Sequence, residues 1–222
     1  MEKMSVIIPA YRAEKYLHEA VDSARNQTWA GETEIIVIDD GSPDDTLSVA
    51  RECADLVIER QHGGAAAARN AGLSASTGTW VMFLDADDLL TSGAVQALYA
   101  PFADTPELMA CFGLAEDFIS PELTEEQRQT VSCREGAYGG ILPGCALIRR
   151  EVFDKIGMFD AALSSGETIA WQMKLRDAGC ISKCIDVVTL RRRIHLSNTG
   201  RIDRKQEMLN YASILRKRLQ KK

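Results

Sequence analysis

The sequence predicts an α/β fold: a mixed, mainly parallel central sheet flanked by helices. Three features of the first hundred residues predict it. Short β-branched runs alternate with segments of helical period, the runs are apolar without interruption, and each ends in turn-forming or acidic residues. An uninterrupted apolar strand needs cover on both faces, and strand–helix alternation is how parallel neighbours are joined.

The first strand is 4–8, closed by Pro9. Residues 14–28 follow as a helix with Leu17, Ala20, Val21 and Ala24 along one face. The second strand is 34–38, broken by Asp39-Asp40-Gly41-Ser42-Pro43. Asp44 or Asp45 then caps a second helix on which Leu47, Ala50, Ala54 and Val57 share a face. Residues 57–59 suit a short strand, and Gly63-Gly64 opens an alanine-rich third helix ending near Gly78. The strand at 80–84 is terminated by Asp85-Ala86-Asp87-Asp88. A helix is expected over 93–102 and a strand near 109–114. Residues 116–136, polar and poorly patterned, read as a surface insertion. The back half offers an apolar stretch at 141–148, helices near 150–156 and 167–178, and a last strand at 185–190. Neither an internal repeat nor a low-complexity linker divides the chain, so one domain is expected.

A chain of 222 residues has room for one such domain with a substantial core. Its 45% hydrophobic and 26% charged residues are ordinary for a soluble globular protein. No apolar run reaches the roughly 18–20 residues of a membrane-spanning helix, and the first residues lack the pattern of a signal peptide. Cytoplasmic residence is the expectation. Without a secretory signal, the six irregularly spaced cysteines read as free thiols. Cys180 and Cys184 have no second Cys/His pair to complete a zinc site. Residues 191–222 carry eleven Lys/Arg against two acids, about +9, which leaves about −15 on the first 190 residues. That acidic body argues against nucleic acid as a partner.

Ligands of open α/β sheets bind at the C-terminal ends of the strands. Three strands end there in residues suited to chemistry: Pro9-Ala10-Tyr11, Asp39-Asp40 and Asp85-Ala86-Asp87-Asp88. One acidic loop is usually a turn or a cap. Three carboxylates within four residues, straight after Val81-Met82-Phe83-Leu84, cost stability unless a cation or ligand compensates. Hard oxygen ligands suit Mg²⁺ or Mn²⁺, held by one or two carboxylates plus substrate phosphates. A diphosphate-containing substrate follows.

The constellation resembles the family 2 glycosyltransferases, inverting nucleotide-sugar-dependent enzymes with a single GT-A (Rossmann-like, nucleotide-diphospho-sugar transferase) domain. The resemblance rests on Ser5-Val6-Ile7-Ile8-Pro9-Ala10-Tyr11, Gln27-Thr28-Trp29, the EIIVIDDGS stretch ending at Ser42, Ala68-Arg69-Asn70-Ala71-Gly72, and Gly78 through Asp88. A looser match continues through 144–157, Phe159-Asp160, Gly166-Glu167 and 192–197. The resemblance implies a nucleotide-sugar-binding half over 1–100 and an acceptor and catalytic half over 101–200, and the charge and spacing of the tail add a basic C-terminal helix over 201–222. It assigns Pro9 and Tyr11 to the nucleotide pocket, with Tyr11 against the base or ribose. It makes Asp40 the acceptor for a base imide N–H, which favours UDP- or dTDP-linked donors. Asp85 and Asp87 form the DxD element, Asp85 toward the ribose and diphosphate and Asp87 as the direct ligand of Mn²⁺ or Mg²⁺, with Asp88 as helper. Arg69 either touches the donor or pairs with an acid. Gly41 and Gly72 read as turn and packing glycines.

In an inverting transferase a carboxylate takes the acceptor's proton as its oxygen attacks the anomeric carbon. The family usually places that Asp after a Glu at the start of a late helix. Here Thr168 stands at the Asp position, and a threonine hydroxyl cannot act as this base. The adjacent Glu167, in a first helical turn that favours its ionised form, is the catalytic candidate, with Trp171 shaping the acceptor side. Alternatively Glu167 only caps the helix, and the chain is a catalytically weak sugar-nucleotide-binding regulator or scaffold. His195, in Arg191-Arg192-Arg193-Ile194-His195, resembles the family's late Arg-x-His segment, where it either completes the metal site or touches the diphosphate. The neighbouring arginines suit the diphosphate charge. Over 203–220, Met208, Ala212, Leu215 and Leu219 share a helical face that either docks on the domain or rests on anionic lipid. A saccharide or lipid-linked acceptor would suit the second arrangement. No glycine- and lysine-rich phosphate loop follows the first strand, which disfavours a nucleotidyltransferase, and no GxGxxG follows it, which excludes a dinucleotide-dependent oxidoreductase.

Overall fold

A computed structural model describes residues 2–139, 142–163 and 165–198. The sequence-predicted basic helix at 201–222 lies outside them. The front half runs β1 (Lys3–Ala10), α1 (Leu17–Arg25), β2 (Glu32–Asp39), α2 (Thr46–Cys53), β3 (Leu56–Glu59), α3 (Ala65–Ala75) and β4 (Trp80–Phe83). It continues with β5 (Leu89–Leu90), α4 (Ala94–Tyr99), α5 (Pro101–Asp104), β6 (Ala110–Ile119), α6 (Glu125–Thr130) and β7 (Tyr138–Gly139). A 3-10 turn at Pro143–Cys145 leads into β8 (Ala146–Arg149), α7 (Glu151–Ile156), α8 (Glu167–Asp177) and β9 (Ser182–Ile194).

These strands form one sheet in the order β3-β2-β1-β4-β8-β6-β9-β5, with β7 on β6. The first four are parallel, β8 runs antiparallel to both its neighbours, and β6 and β9 are parallel. This is the expected mixed, mainly parallel α/β arrangement. Alternate residues of each apolar run feed two separate cores. Met4, Val6, Ile35, Val37 and Met82 pack on one face under α1 and α4. Ile7, Ile36, Ile38, Val81 and Phe83 pack on the other, with Leu73 of α3 and Trp171 of α8. Cover on both faces is why these strands carry no polar alternation.

Differences from the sequence expectation have local causes. The second helix stops at Cys53, so Ala54 and Val57 leave its face and Val57 joins β3. The expected 93–102 helix breaks at Ala100, because Pro101 starts a new turn where its missing N–H costs nothing. Residues 116–119 are not insertion but strand: they pair with 191–194 of β9. Asp117 is buried there by the Tyr138 hydroxyl and the Arg134 N–H, which hides the strand pattern in the sequence. Within the rest of that stretch, Thr124 and Gln127 close a reciprocal capping box on α6. Among the described residues no helix is long and apolar enough to cross a membrane, and the six cysteines are free.

Candidate active site

The ladder of β1 against β2 sets Ala10 opposite Asp39, so the next residues, Tyr11 and Asp40, emerge together at the carboxyl edge. Pro9 is half-buried beneath them, opposite Ile38. Gly41 turns the chain away at φ +74, where a side chain would also press on the His62 backbone. Tyr11 is exposed, and its ring faces the His62 imidazole at 4.3 Å. The buried Asp40 carboxylate is saturated with donors. It pairs with Arg60, lies 2.9 Å from His62 Nδ1, and accepts from the N–H groups of Gly63 (3.1 Å) and Gly64 (2.7 Å). Arg60, His62 and the two glycines form one continuous Arg-Gln-His-Gly-Gly stretch. Nothing in its composition marks it beyond its position between a strand and a helix.

Leu84 continues β4 beside β1, donating its N–H to the Ile7 carbonyl, which delivers Asp85 to the same edge. Asp85 is partly exposed and accepts from Arg69 Nη2 at 2.7 Å. Arg69 Nη1 reaches across to Glu167 Oε1, also at 2.7 Å. Burial pulls the Arg69 pKa down, but the Asp85 and Glu167 carboxylates outweigh it and raise the pKa above its ordinary value. Arg69 therefore pairs with two acids. Its neighbour Asn70 is a clamp, donating to and accepting from the Phe159 backbone. Glu167 opens α8 just after Gly166, at φ +80. Thr168 Oγ1 also donates to Glu167 Oε1, at 3.5 Å. Oε2 has no hydrogen-bond partner among the described residues. Trp171 does not shape an acceptor side. It is buried, donates to the Gly157 carbonyl and stacks on Phe153, as a core residue does.

Asp87 and His195 meet: Asp87 Oδ2 lies 2.9 Å from His195 Nε2, and Asn198 Nδ2 donates to the same oxygen at 3.4 Å. Asn198 also accepts from the His195 backbone N–H, fixing the turn that presents the imidazole. Among the described residues no group of three or more His, Cys, Asp or Glu side chains converges as a complete metal cage. One carboxylate beside one imidazole nevertheless fits Mg²⁺ or Mn²⁺, which completes its shell from substrate phosphate and water. Asp88 turns inward instead. Burial pushes its carboxyl well above the usual carboxylate range, the Asp87 and Asp85 charges push the same way, and the Arg193 N–H opposes them.

Arg193 is the organiser that sequence reading missed. Almost wholly buried, it donates through Nε to the Asp87 carbonyl, through Nη1 to Ser120 and through Nη2 to Glu19 at 2.5 Å. Its guanidinium lies 4.8 Å from both the Tyr16 and Phe118 ring centroids. Arg193 is thus spent on the acidic turn rather than on a diphosphate. Arg191 sits over Phe118, and Arg192 leans toward Asp117 and Tyr138. Strand alternation through 191–193 was the available signal, since it separates Arg192 from its two neighbours.

The family model described as Glycosyl transferase family 2 matches residues 5–157. Glycosyltransferase GlyA of Streptococcus pneumoniae is 38% identical over 103 residues, 44% of this chain and 15% of that protein. The chain spans less than two thirds of the length of the curated relatives it matches. A crystal structure of S. aureus TarS residues 1–349 in complex with UDP superposes with TM-score 0.67 at 25% identity, over 86% of this chain and 60% of that one. The mannosyltransferase PcManGT from Pyrobaculum calidifontis, in complex with GDP-Man and Mn²⁺, gives TM-score 0.71 at 20% identity, over 96% and 64%. The fold is that of the GT-A transferases.

Proposed function

We propose the following for this chain, which belongs to glycosyl transferase family 2 and is a glycosyltransferase: it moves a sugar, with inversion, from a UDP- or dTDP-linked donor to a hydroxyl acceptor. The observation that carries this proposal is the convergence of Asp40, Asp85 and Asp87 at the ends of β2 and β4, with Glu167 tied to Asp85 through Arg69. TarS in complex with UDP supports a uridine nucleotide, and PcManGT with GDP-Man and Mn²⁺ supports a divalent ion.

Pro9 and Tyr11 form the floor against the base, and Asp40 accepts its imide N–H. Asp85 binds the ribose and diphosphate side. A divalent cation held by Asp87, with His195 beside it, would offset the charge that builds on the departing diphosphate. Glu167 is the base. Oε1 is anchored by Arg69, which fixes the side chain, while Oε2 accepts the acceptor hydroxyl's proton. As that proton moves, the acceptor oxygen bonds to the anomeric carbon and the bond to the diphosphate oxygen breaks on the opposite face. The proton on Glu167 then passes to solvent. A saccharide or lipid-linked hydroxyl fits this chemistry.

A donor screen with Mn²⁺, reading nucleoside diphosphate release with and without candidate acceptors, tests the proposal. Release from a UDP- or dTDP-linked donor, lost in Asp87→Ala, is the expected result. Release that survives Asp87→Ala contradicts the metal assignment. UDP binding without release from any donor supports a sugar-nucleotide-binding protein instead, the reading that Thr168 at the usual Asp position favours.

A further inference from the structure

We propose that His62 occupies the nucleobase's place in the resting protein and has to swing out before a donor binds, an inference that rests on the base-pocket reading above. Both contacts given there to the base are taken by the imidazole. Its ring lies 4.3 Å from the Tyr11 ring, tilted by 32°. Its Nδ1 lies 2.9 Å from Asp40 Oδ2 and 3.1 Å from the Asp40 carbonyl. A base cannot slip between the two rings, because an intercalated ring needs about 7 Å between its neighbours, two stacking contacts of roughly 3.5 Å. His62 and a base stacked on this face of Tyr11 therefore exclude each other.

The surroundings suit a movable plug. The charged and titratable groups facing the imidazole are Asp40 after β2, Arg60 after β3 and Tyr11 after β1, with the Arg12 guanidinium 5.2 Å from the Tyr11 ring centroid. When His62 leaves, Asp40 keeps Arg60 and the Gly63 and Gly64 amides, so its buried charge stays compensated. The lone pair released is the one an imide N–H needs. The His62 side chain is 56% exposed, so it swings into solvent without opening the core. Gly63 and Gly64 follow directly, and at Gly64, with φ +86, an added Cβ would meet nothing within 4 Å.

Closure by one partly exposed polar contact and one ring contact lowers apparent donor affinity by the fraction of open molecules, roughly three- to tenfold. Calorimetric titration of UDP with Mn²⁺, carried to millimolar concentration on wild type, His62→Ala and Tyr11→Ala, reads this directly. His62→Ala is expected to bind UDP about three- to tenfold tighter, with the gain in the association rate by stopped flow. Its melting temperature should stay within about 1 °C of wild type, as for an exposed side chain. Affinity in His62→Ala equal to or weaker than wild type overturns the plug, since a stacking platform for the base would be lost rather than cleared. Tyr11→Ala separates the two levels. Weakened UDP binding there with no gain in His62→Ala sinks the plug alone. UDP binding unaffected by Tyr11→Ala, or absent from wild type and His62→Ala alike, sinks the pocket assignment and the plug with it.

Discussion

Replacing Arg69 by methionine removes the cation that joins Asp85 to Glu167 while keeping most of the apolar stem. The guanidinium is buried and makes two charge-assisted hydrogen bonds of 2.7 Å, to Asp85 and to Glu167. Breaking a buried pair by deleting one partner typically costs about 3–5 kcal/mol. Asp85 is 38% exposed and rehydrates, whereas Glu167 is only 14% exposed and stays largely dry. The lower end, about 3 kcal/mol, is therefore expected, which lowers the melting temperature of a domain this size by roughly 6–12 °C. Glu167→Gln removes the uncompensated charge, so adding it to Arg69→Met should recover about 1–2 kcal/mol relative to additivity. Urea unfolding of the two single variants and the double variant measures the cycle. A cost below about 1 kcal/mol for Arg69→Met, or strict additivity with Glu167→Gln, refutes the tether.

Other expectations follow from groups away from the chemistry. Glu34 accepts from Lys3 Nζ, Ser5 Oγ and the Thr77 N–H, each at 2.6 Å. Burial alone would raise its pKa, but these donors outweigh it and hold the carboxyl at about 2, against an ordinary 4.5. Its contribution is therefore present above about pH 4.5 and lost as pH falls toward 2. Glu34→Gln should be about 2 kcal/mol less stable than wild type at pH 7, with the gap closing below about pH 3 in acid-unfolding curves. Gly72 lets α3 lie close on the sheet: an added Cβ would sit 2.4 Å from Ile7 Cγ2 and 2.6 Å from Ile38 Cδ1. Gly72→Ala should lose about 1–2 kcal/mol in denaturant titration, overpacking outweighing the gain in helix propensity.

The front half of the fold was readable because each strand, buried on both faces, leaves an unbroken apolar run, and because the site residues are the next residues along the chain. Position alone thus put Pro9, Tyr11, Asp40, Asp85 and Asp87 at the carboxyl edge of the sheet, while their individual roles came from the family resemblance. What was hidden depends on partners far away in sequence. Arg193 grips the turn at Asp87 from over a hundred residues downstream, and Arg69 reaches Glu167 from 98 residues upstream. A lone arginine looks the same in sequence whether it meets a phosphate or an acid. Residues 116–119 hid as strand because the Asp117 carboxylate is hydrogen-bonded by the Tyr138 hydroxyl and the Arg134 backbone N–H rather than by solvent. Trp171 misled in the other direction: one turn after Glu167 it looks like a site residue, yet helical spacing also aims it at Phe153 and Phe159.

The assignment of Glu167 as the base at a donor site that includes Asp40 and Asp85 is tested most directly by Glu167→Gln. Turnover of the UDP- or dTDP-linked donor is measured at saturating donor and acceptor, alongside UDP affinity. A glutamine keeps the side chain's shape and loses the proton acceptor, so kcat should fall by about 10²–10⁴ while UDP affinity stays within about twofold, because the base touches the acceptor rather than the nucleotide. A kcat that survives the substitution contradicts the account.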